Sequence, residues 1–388
     1  CGCRVCGREI CGMCERGNIK MKKVLILGVA SVQMDALVML KKMGIETYAC
    51  AMAKDGPGAD VADHFEEINI LDESKLAQYI KDNDIDVVYS TGSDLAMPVV
   101  ERLSEKLGLP HFGTPEVAYI CNHKDKMRMT LTNECKCNVP FQVMEKPEKI
   151  NISFPCIMKP SDSQGQRGVK LIHSQEEMEE AFENTKKFSR EGKVIIEKYV
   201  DGPELSVNGY MVNGKLRFLV ASDRITWPQF TGLIHKHVVP AETISDQAQT
   251  VLEESVEDAC RRIGILNGPF YLQIKVEKDK PYIIEITPRL DGCHMWKLLT
   301  KYTNVNLMKL TFEHLLDNNI SELDKDIEFY SPHELVFFCK EPGKVMDQSE
   351  FLIPDESEDS FFYYNTGETI RPVNGKYEKV GYYMMKRK

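Results

Sequence analysis

The stretch GPFYLQIKVEKDKPYIIEITPR, residues 268–289, is the most informative part of the chain. Two apolar segments rich in β-branched and aromatic residues flank the polar run from Glu277 to Lys280, which predicts an antiparallel hairpin. With Asp279 at the centre of the turn, Gln273 and Glu285 are each six residues from it and lie opposite each other. Side chains in such a pair stand about 5 Å apart at Cβ. The hairpin therefore predicts two oxygen-bearing side chains next to each other.

The same hairpin carries residues suited to a metal ion and a phosphate. Glu285, Thr287 and Arg289 alternate along the second strand, so they project from one face. The oxygens of Gln273 and Glu285 suit Mg²⁺, a hard ion that takes oxygen ligands, and a guanidinium suits a transferring phosphoryl group. The alternative is a surface hairpin with solvated charges. Glu285 and Arg289 interrupt an otherwise apolar strand, however, which favours a functional site.

The N-terminal part of the chain alternates strand-like and helix-like segments. KKVLILGV, residues 22–29, is an apolar run of strand length, and residues 34–43 place apolar side chains at helical spacing. This alternation continues to a boundary near residue 113 and predicts a parallel sheet flanked by helices. The first turn has one glycine, Gly28, where a dinucleotide fingerprint needs three, and the chain has no Walker A motif. A nucleotide would therefore need a different set of binding residues.

Three further segments could supply these residues. Residues 121–128 open a predicted helix that runs toward Cys135 and contains Lys124. Residues 154–160 form a short apolar strand that carries Lys159, and the small polar residues 161–169 follow, a composition suited to folding backbone amides over phosphate oxygens. Residues 194–204 predict a strand that runs into a turn.

Together these segments resemble the ATP-grasp superfamily over about residues 22–320, and most closely its carbamoyl-phosphate-synthetase-like carboxylate–amine ligases. The resemblance implies an α/β (α+β) ATP-grasp fold with a Rossmann-like pre-ATP-grasp domain, a small lid domain and a larger metal-binding domain. The implied divisions are residues 21–113 for the first domain, 114–320 for the ATP-grasp domain and about 158–198 for its lid. Residues 321–388 predict a β-rich C-terminal extension.

The resemblance also implies roles for single residues. Lys159 and Arg289 are expected to be catalytic, Arg289 by stabilising an acyl phosphate. The residues expected to contact ATP are Lys124, Lys159, Ser163, Gly165, Arg167, Gly168, Glu197, Tyr199, Val200 and Glu204. The residues expected to bind the metal are Gln273, Glu285 and Thr287. Gln273 is similar to the glutamine of the carbamoyl-phosphate-synthetase branch, whereas Thr287 replaces the commoner asparagine and is a shorter-reaching ligand.

The activity that the resemblance implies is the ATP-dependent activation of a carboxylate as an acyl phosphate, with release of ADP, followed by attack of an amine or a similar nucleophile. It implies ATP and one or two Mg²⁺ or Mn²⁺ ions, small-molecule substrates and, in some relatives, a homodimer. One alternative is a catalytically weak regulatory or accessory protein, which Thr287 favours. A dinucleotide-dependent oxidoreductase and a zinc-centred binding module are the others.

Candidate substrate contacts lie beside these segments. Arg224 and His235 stand between the expected hinge and the hairpin, and Asp291 follows Arg289. His235 and His237 could share a strand face and bind a metal, but two histidines without a third ligand more often face solvent. Cys293 is interpreted as a buried structural cysteine.

Composition limits the partners. The formal net charge is -10, which disfavours binding to nucleic acid or to an anionic membrane surface, and the scattered cysteines of the body predict a reduced, cytoplasmic protein. The first 20 residues are Cys-rich and contain two CxxC pairs. This leader is interpreted as a segment foreign to the protein, as a small zinc knuckle or as a set of inert thiols.

Overall fold

The computed structural model describes residues 21–163, 167–372 and 376–387. The Cys-rich leader and Gly165, for which the sequence predicts roles, lie outside the described residues.

The N-terminal part of the described chain is a parallel sheet flanked by helices. Its elements are β1 (Lys23–Leu27), α1 (Ser31–Lys42), β2 (Glu46–Ala51), α2 (Gly58–Val61), β3 (His64–Glu67), α3 (Glu73–Asp82), β4 (Val87–Tyr89) and α4 (Met97–Leu107). The strand order is β3-β2-β1-β4, and the strands that pair run parallel. The apolar run of β1 is buried from Val24 to Leu27 because helices cover both faces of such a sheet. The predicted alternation of strands and helices is confirmed.

Two short helices lead into a small antiparallel sheet. The elements are α5 (Pro115–Asn122), α6 (Lys124–Leu131), β5 (Phe141–Met144), β6 (Cys156–Pro160), β7 (Lys170–Ile172), α7 (Gln175–Lys186) and β8 (Val194–Lys198). The strand order is β5-β8-β6-β7, and Met178 and Phe182 of α7 are buried in its core. The single helix predicted from residue 121 toward Cys135 is wrong: the chain extends at His123, α6 begins at Lys124, and it ends at Leu131 before Thr132, which has φ 58.

The remaining strands of the described chain form one eight-stranded sheet in the order β13-β12-β9-β10-β11-β14-β16-β15. Its elements are β9 (Glu204–Val212), β10 (Lys215–Trp227), β11 (Phe230–Val239), α8 (Asp246–Ile263), β12 (Gly268–Glu277), β13 (Lys280–Thr287), α9 (Met295–Tyr302), α10 (Leu307–Asp317), β14 (His333–Lys340), β15 (Asp359–Phe362) and β16 (Glu378–Lys386). The strands after residue 320 thus continue the sheet that carries the hairpin.

The predicted pairing of Gln273 with Glu285 is confirmed, although the turn is displaced. Lys278 and Asp279 form the turn, both with positive φ, so its centre lies between them rather than at Asp279. A register shift beside Gln273 leaves Ile284 as an extra residue on the second strand, which is a β-bulge. The displaced turn and the extra residue offset each other, and the two oxygen-bearing side chains still lie opposite.

Helix α1 of the N-terminal part contacts the start of α9 through a buried polar contact. Asp35 of α1 lies 2.7 Å from Nδ1 of His294 and accepts a hydrogen bond from Nε1 of Trp296 at 3.0 Å. The other ring nitrogen of His294 lies 2.9 Å from the hydroxyl of Tyr363, which follows β15. One residue after the hairpin therefore joins the N-terminal part to the C-terminal strands. Among the helices of the described chain, none combines the length and the apolar character that a membrane span requires.

Candidate active site

A row of polar side chains crosses four strands of the large sheet. Glu285 of β13 pairs with Gln273 of β12, Gln273 pairs with Ser206 of β9, and Ser206 pairs with Ser222 of β10. Residues that pair directly across antiparallel strands project to the same face. Arg224 lies two residues beyond Ser222, so it belongs to this face as well. The face is lined with polar groups where a buried sheet normally carries apolar ones.

The predicted metal ligands form an oxygen donor set that fits Mg²⁺. The amide nitrogen of Gln273 donates to Glu204 at 2.5 Å, which leaves its carbonyl oxygen available to an ion. Burial alone would raise the pKa of Glu285, but the charges of nearby lysines and of Arg289 outweigh it, so the pKa is lowered and the carboxylate is charged. The hydroxyl of Thr287 is buried without a hydrogen-bond partner among the described residues. Carboxylate, amide and hydroxyl oxygens are the donors that a hard cation takes.

Lys124 lies at the junction between this donor set and the small polar loop. Its Nζ is 3.5 Å from Oε1 of Glu285 and donates to the carbonyl oxygen of Ser163 at 3.0 Å. Its backbone nitrogen donates to the carbonyl oxygen of Ser161 at 2.8 Å. Since α6 begins at Lys124, the start of this helix is held against the start of the loop. A phosphate lying between the loop and Glu285 would be within reach of the ammonium group.

Lys159 belongs to a buried chain of charges. Its Nζ lies 2.6 Å from Oε2 of Glu197, and Oε1 of Glu197 accepts a hydrogen bond from Nε of Arg128 at 2.9 Å. Burial would raise the pKa of Glu197, but Arg128 and Lys159 outweigh it and lower that pKa to about 2. The pKa of Lys159 is also lowered, chiefly by burial, with Glu197 acting in the opposite direction. Glu197 thus fixes the position of Lys159.

Arg128 has no role in the sequence prediction, although it is fully buried. Besides Glu197, it donates to the side chain of Asn138 at 3.4 Å and to the backbone oxygen of Ile284 at 3.2 Å. The second acceptor is the extra residue of the hairpin bulge, so Arg128 links α6, β8 and β13. Its spacing is a usable signal, because Lys124 and Arg128 are four residues apart on one helix and therefore share a face.

Arg289 is held by the N-terminal part of the chain. Its Nε donates to Oδ1 of Asp94 at 2.7 Å, and its Nη1 donates to the backbone oxygen of Leu290 at 2.9 Å. Burial raises the pKa of Asp94, and Arg289 partly offsets this effect. Asp94 also has no role in the sequence prediction. It follows the carboxyl end of β4, the edge at which α/β sheets bind their ligands, and this position is the signal that could have identified it.

Two glycines bring these segments together. Gly92 has φ +68, and a Cβ on it would lie 2.5 Å from Cα of Gly292. The backbone nitrogen of Gly92 donates to the carbonyl oxygen of Leu290 at 3.3 Å. Any side chain at this point would force the two segments apart. The contact therefore sets the distance between Asp94 and Arg289.

The remaining predicted nucleotide contacts are placed as follows. Tyr199 and Val200 directly follow β8, and Val200 is buried against Val139 and Tyr282. The side chain of Glu197 is directed to Lys159 and Arg128, and Glu204 pairs with Arg224 and Gln273. Arg167 is exposed. Gly168 has φ +72, and a Cβ there would lie 2.7 Å from the ring of Phe188.

The predicted substrate residues differ in their surroundings. Arg224 forms an ion pair with Glu204, and Asp291 is buried with 8% exposure. The ring of His235 lies against Trp227 with centroids 4.0 Å apart, beside a register shift of the strand pair. The expectation that His237 faces solvent is wrong, because His237 pairs with Arg224 across the strands and is fully buried. Cys293, interpreted from sequence as buried, is partly exposed.

Comparisons with known proteins bear on the domain and the fold of the chain. Residues 152–296 match the model of the ATP-grasp domain. The chain is similar to the formate-dependent phosphoribosylglycinamide formyltransferase of Prochlorococcus marinus (strain NATL2A), with 23% identity over 79% of each chain. It is similar to the carbamoyl phosphate synthase large chain of Vibrio cholerae, with 22% identity over 85% of this chain and 33% of that protein.

A solved structure is also similar to the chain. The L-amino acid ligase from Bacillus licheniformis superposes with a TM-score of 0.78 and 20% identity, over 94% of this chain and 93% of that one. The fold predicted from the sequence is thereby confirmed. Residues 152–296 carry an ATP-grasp domain, and the chain as described has the same α+β fold as that ligase.

Proposed function

We propose that this protein is an ATP-dependent ligase that activates a small-molecule carboxylate as an acyl phosphate, releases ADP and joins the acyl group to an amine. The observation that carries the proposal is the grouping of charged and polar side chains at one polar face. Lys124 and Arg289 lie there with Glu285 and Gln273. The buried Lys159 lies next to them. Two cations, a metal-binding carboxylate and a guanidinium held by a second domain form a set suited to phosphoryl transfer. The relatives and the solved structure described above, all ATP-grasp ligases, support it.

In this proposal Lys124 and Lys159 bind the phosphates of ATP, and the segment 161–169 covers them. Gln273, Glu285 and Thr287 hold Mg²⁺ or Mn²⁺. A bound ion would offset the negative charge that develops on the phosphate oxygens. Because Lys124 lies 3.5 Å from Glu285, the phosphates reach the lysine and the ion together.

The carboxylate of the substrate attacks the γ-phosphorus, the bond from that phosphorus to the bridging oxygen breaks, and ADP leaves with the electron pair. Arg289 stabilises the acyl phosphate, and Asp94 keeps its guanidinium in place. The amine then attacks the acyl carbon, inorganic phosphate leaves, and the amine loses a proton. Closure of the lid excludes water, which would otherwise hydrolyse the acyl phosphate.

The test is product analysis with Mg-ATP, a pooled panel of carboxylic acids, and hydroxylamine as a trap for the acyl phosphate. We expect ADP together with a hydroxamate whose mass identifies the acid. Lys159→Ala and Glu285→Ala should each abolish both products, whereas Lys170→Ala and Glu254→Ala, at exposed positions, should not change them. Formation of AMP would reject the mechanism, and normal turnover by Lys159→Ala would reject the site.

A further inference from the structure

Three side chains of different chemistry meet beside the candidate active site. His237 comes from β11, and Asp291 and Cys293 come from the segment after β13. One ring nitrogen, one carboxylate oxygen and the sulfur all lie within 4.8 Å of one another. None of the three belongs to the predicted nucleotide-binding or magnesium-binding set.

Three polar atoms of this cluster lack a hydrogen-bond partner among the described residues. His237 is 0% exposed, and neither of its ring nitrogens has a hydrogen-bond partner among the described residues. Oδ2 of Asp291 is also buried without a partner there. Leaving a buried polar atom unpaired costs about 1–3 kcal/mol, and native proteins rarely tolerate several such atoms at one place. A bound ion would contact one ring nitrogen of His237 and Oδ2 of Asp291 at once.

We propose that His237, Asp291 and Cys293 bind a Zn²⁺ ion at a site separate from the magnesium site. Imidazole nitrogen, thiolate sulfur and carboxylate oxygen are the ligands of zinc, whereas Mg²⁺ does not take sulfur. Zinc bonds of about 2.0–2.3 Å place tetrahedral ligand atoms ~3.3–3.8 Å apart. Movement of a side-chain atom by about 1 Å would therefore bring the three ligand atoms to these distances.

The charges around the cluster are compatible with a bound cation. The charge of Arg224 is matched by Glu204, and that of Arg289 by Asp94. Among the described residues, Lys379 of β16 also faces the cluster, and it donates to the sulfur of Cys293 at 3.1 Å. Burial raises the pKa of Asp291 and of the Cys293 thiol. Zinc binding would displace the thiol proton, so the ligands of the bound state would carry two negative charges against the ammonium of Lys379. Lys379 competes with the metal for the sulfur, so its removal should strengthen zinc binding.

Three protein ligands leave one tetrahedral position open, as in catalytic rather than structural zinc sites. Asp291 lies two residues beyond Arg289, so the cluster adjoins the expected position of the acyl phosphate, a placement that rests on the proposed function. A zinc ion there would bind the amine or another donor atom of the acceptor and orient it toward the acyl group.

The test measures zinc directly, without ATP. The background is the full-length chain with Cys1, Cys3, Cys6, Cys11 and Cys14 replaced by serine, because two CxxC pairs could bind zinc themselves. Metal-free protein is titrated with zinc against a chromophoric chelator, and cobalt substitution reports the thiolate ligand by its charge-transfer absorption. We expect one zinc per chain and a thiolate–cobalt band.

Variants assign the ligands. His237→Ala should lower zinc affinity at least about 100-fold, more than loss of an outer contact does. Cys293→Ser, a conservative change at a partly exposed position, should remove the cobalt band, and Lys379→Met should raise affinity. The matched controls are His235→Ala, on the same strand, and Cys339→Ser, and both should leave zinc binding unchanged.

The proposal is overturned if the background protein binds no zinc, or if Cys293→Ser retains the affinity and the band. Neither result tests the proposed ligase activity, which is measured by the formation of ADP and hydroxamate. Conversely, a chain without turnover that still binds one zinc through Cys293 would reject the ligase and retain the metal site.

Discussion

Replacement of Arg128 by methionine tests whether the buried charges around Lys159 form one unit. Arg128 is fully buried and donates to Glu197 at 2.9 Å. Its loss leaves Glu197, itself 3% exposed, with Lys159 as the single remaining ion-pair partner among the described residues. Removing one member of a buried ion pair costs about 3–5 kcal/mol. The ratio of folded to unfolded protein should therefore fall roughly 100- to 4,000-fold.

The assay is equilibrium urea unfolding followed by far-ultraviolet circular dichroism. Glu197→Gln removes the carboxylate that both Arg128 and Lys159 contact, so the loss in the double variant with Arg128→Met should be smaller than the sum of the two single losses by about 1–3 kcal/mol. Arg102→Met is the matched control, because Arg102 pairs with Glu73 at the surface, where such a pair contributes about 0–1 kcal/mol. A loss as small as that of the control, or additive effects in the double variant, would refute the reasoning.

The geometry of the site predicts the results of three other experiments. Asp94→Asn should lower kcat about 10- to 100-fold with little change in KM for ATP, because it loosens Arg289 without touching the nucleotide-binding residues; an unchanged kcat would contradict this. Gly92→Ala should lower kcat similarly, because its Cβ would lie 2.5 Å from Gly292, and full activity would show that the contact is not needed. The pKa of Lys159 is lowered chiefly by burial, so its charge is lost as the pH rises through that lowered pKa. KM for ATP, measured between about pH 7 and 10, should rise on the alkaline side, and Lys159→Arg should flatten that rise.

Much of the fold follows from local patterns of sequence. The apolar run of β1 and the helical spacing in α1 and α4 predicted the N-terminal sheet, because these elements bury one side or both. Strand β3, His64–Glu67, was not predicted because it is polar and largely exposed, and pairing with β2 makes it a strand. The bulge at Ile284 also has no local signal. The sequence pattern could not reveal the bulge, because the displaced turn offsets the extra residue in the register.

The candidate site could be predicted only where one segment carries several of its residues. Gln273, Glu285 and Arg289 share a hairpin, so their spacing is informative. Asp94 lies 195 residues before its partner Arg289, and no spacing rule spans that distance. The burial of His237 likewise depends on β14, which pairs with β11 and whose Phe337 ring lies 6.3 Å from the ring of His237.

The position of β16 in the large sheet also bears on how the chain folds during synthesis. β14 pairs with β11 on one side and with β16 on the other, and residues 341–377 separate β14 from β16. Until β16 has left the ribosome, β14 presents an open edge with unpaired backbone groups. Pairing between such distant strands is slow, and open edges of this kind promote aggregation. This edge of the large sheet is therefore open to aggregation until residues 378–386 pair with it.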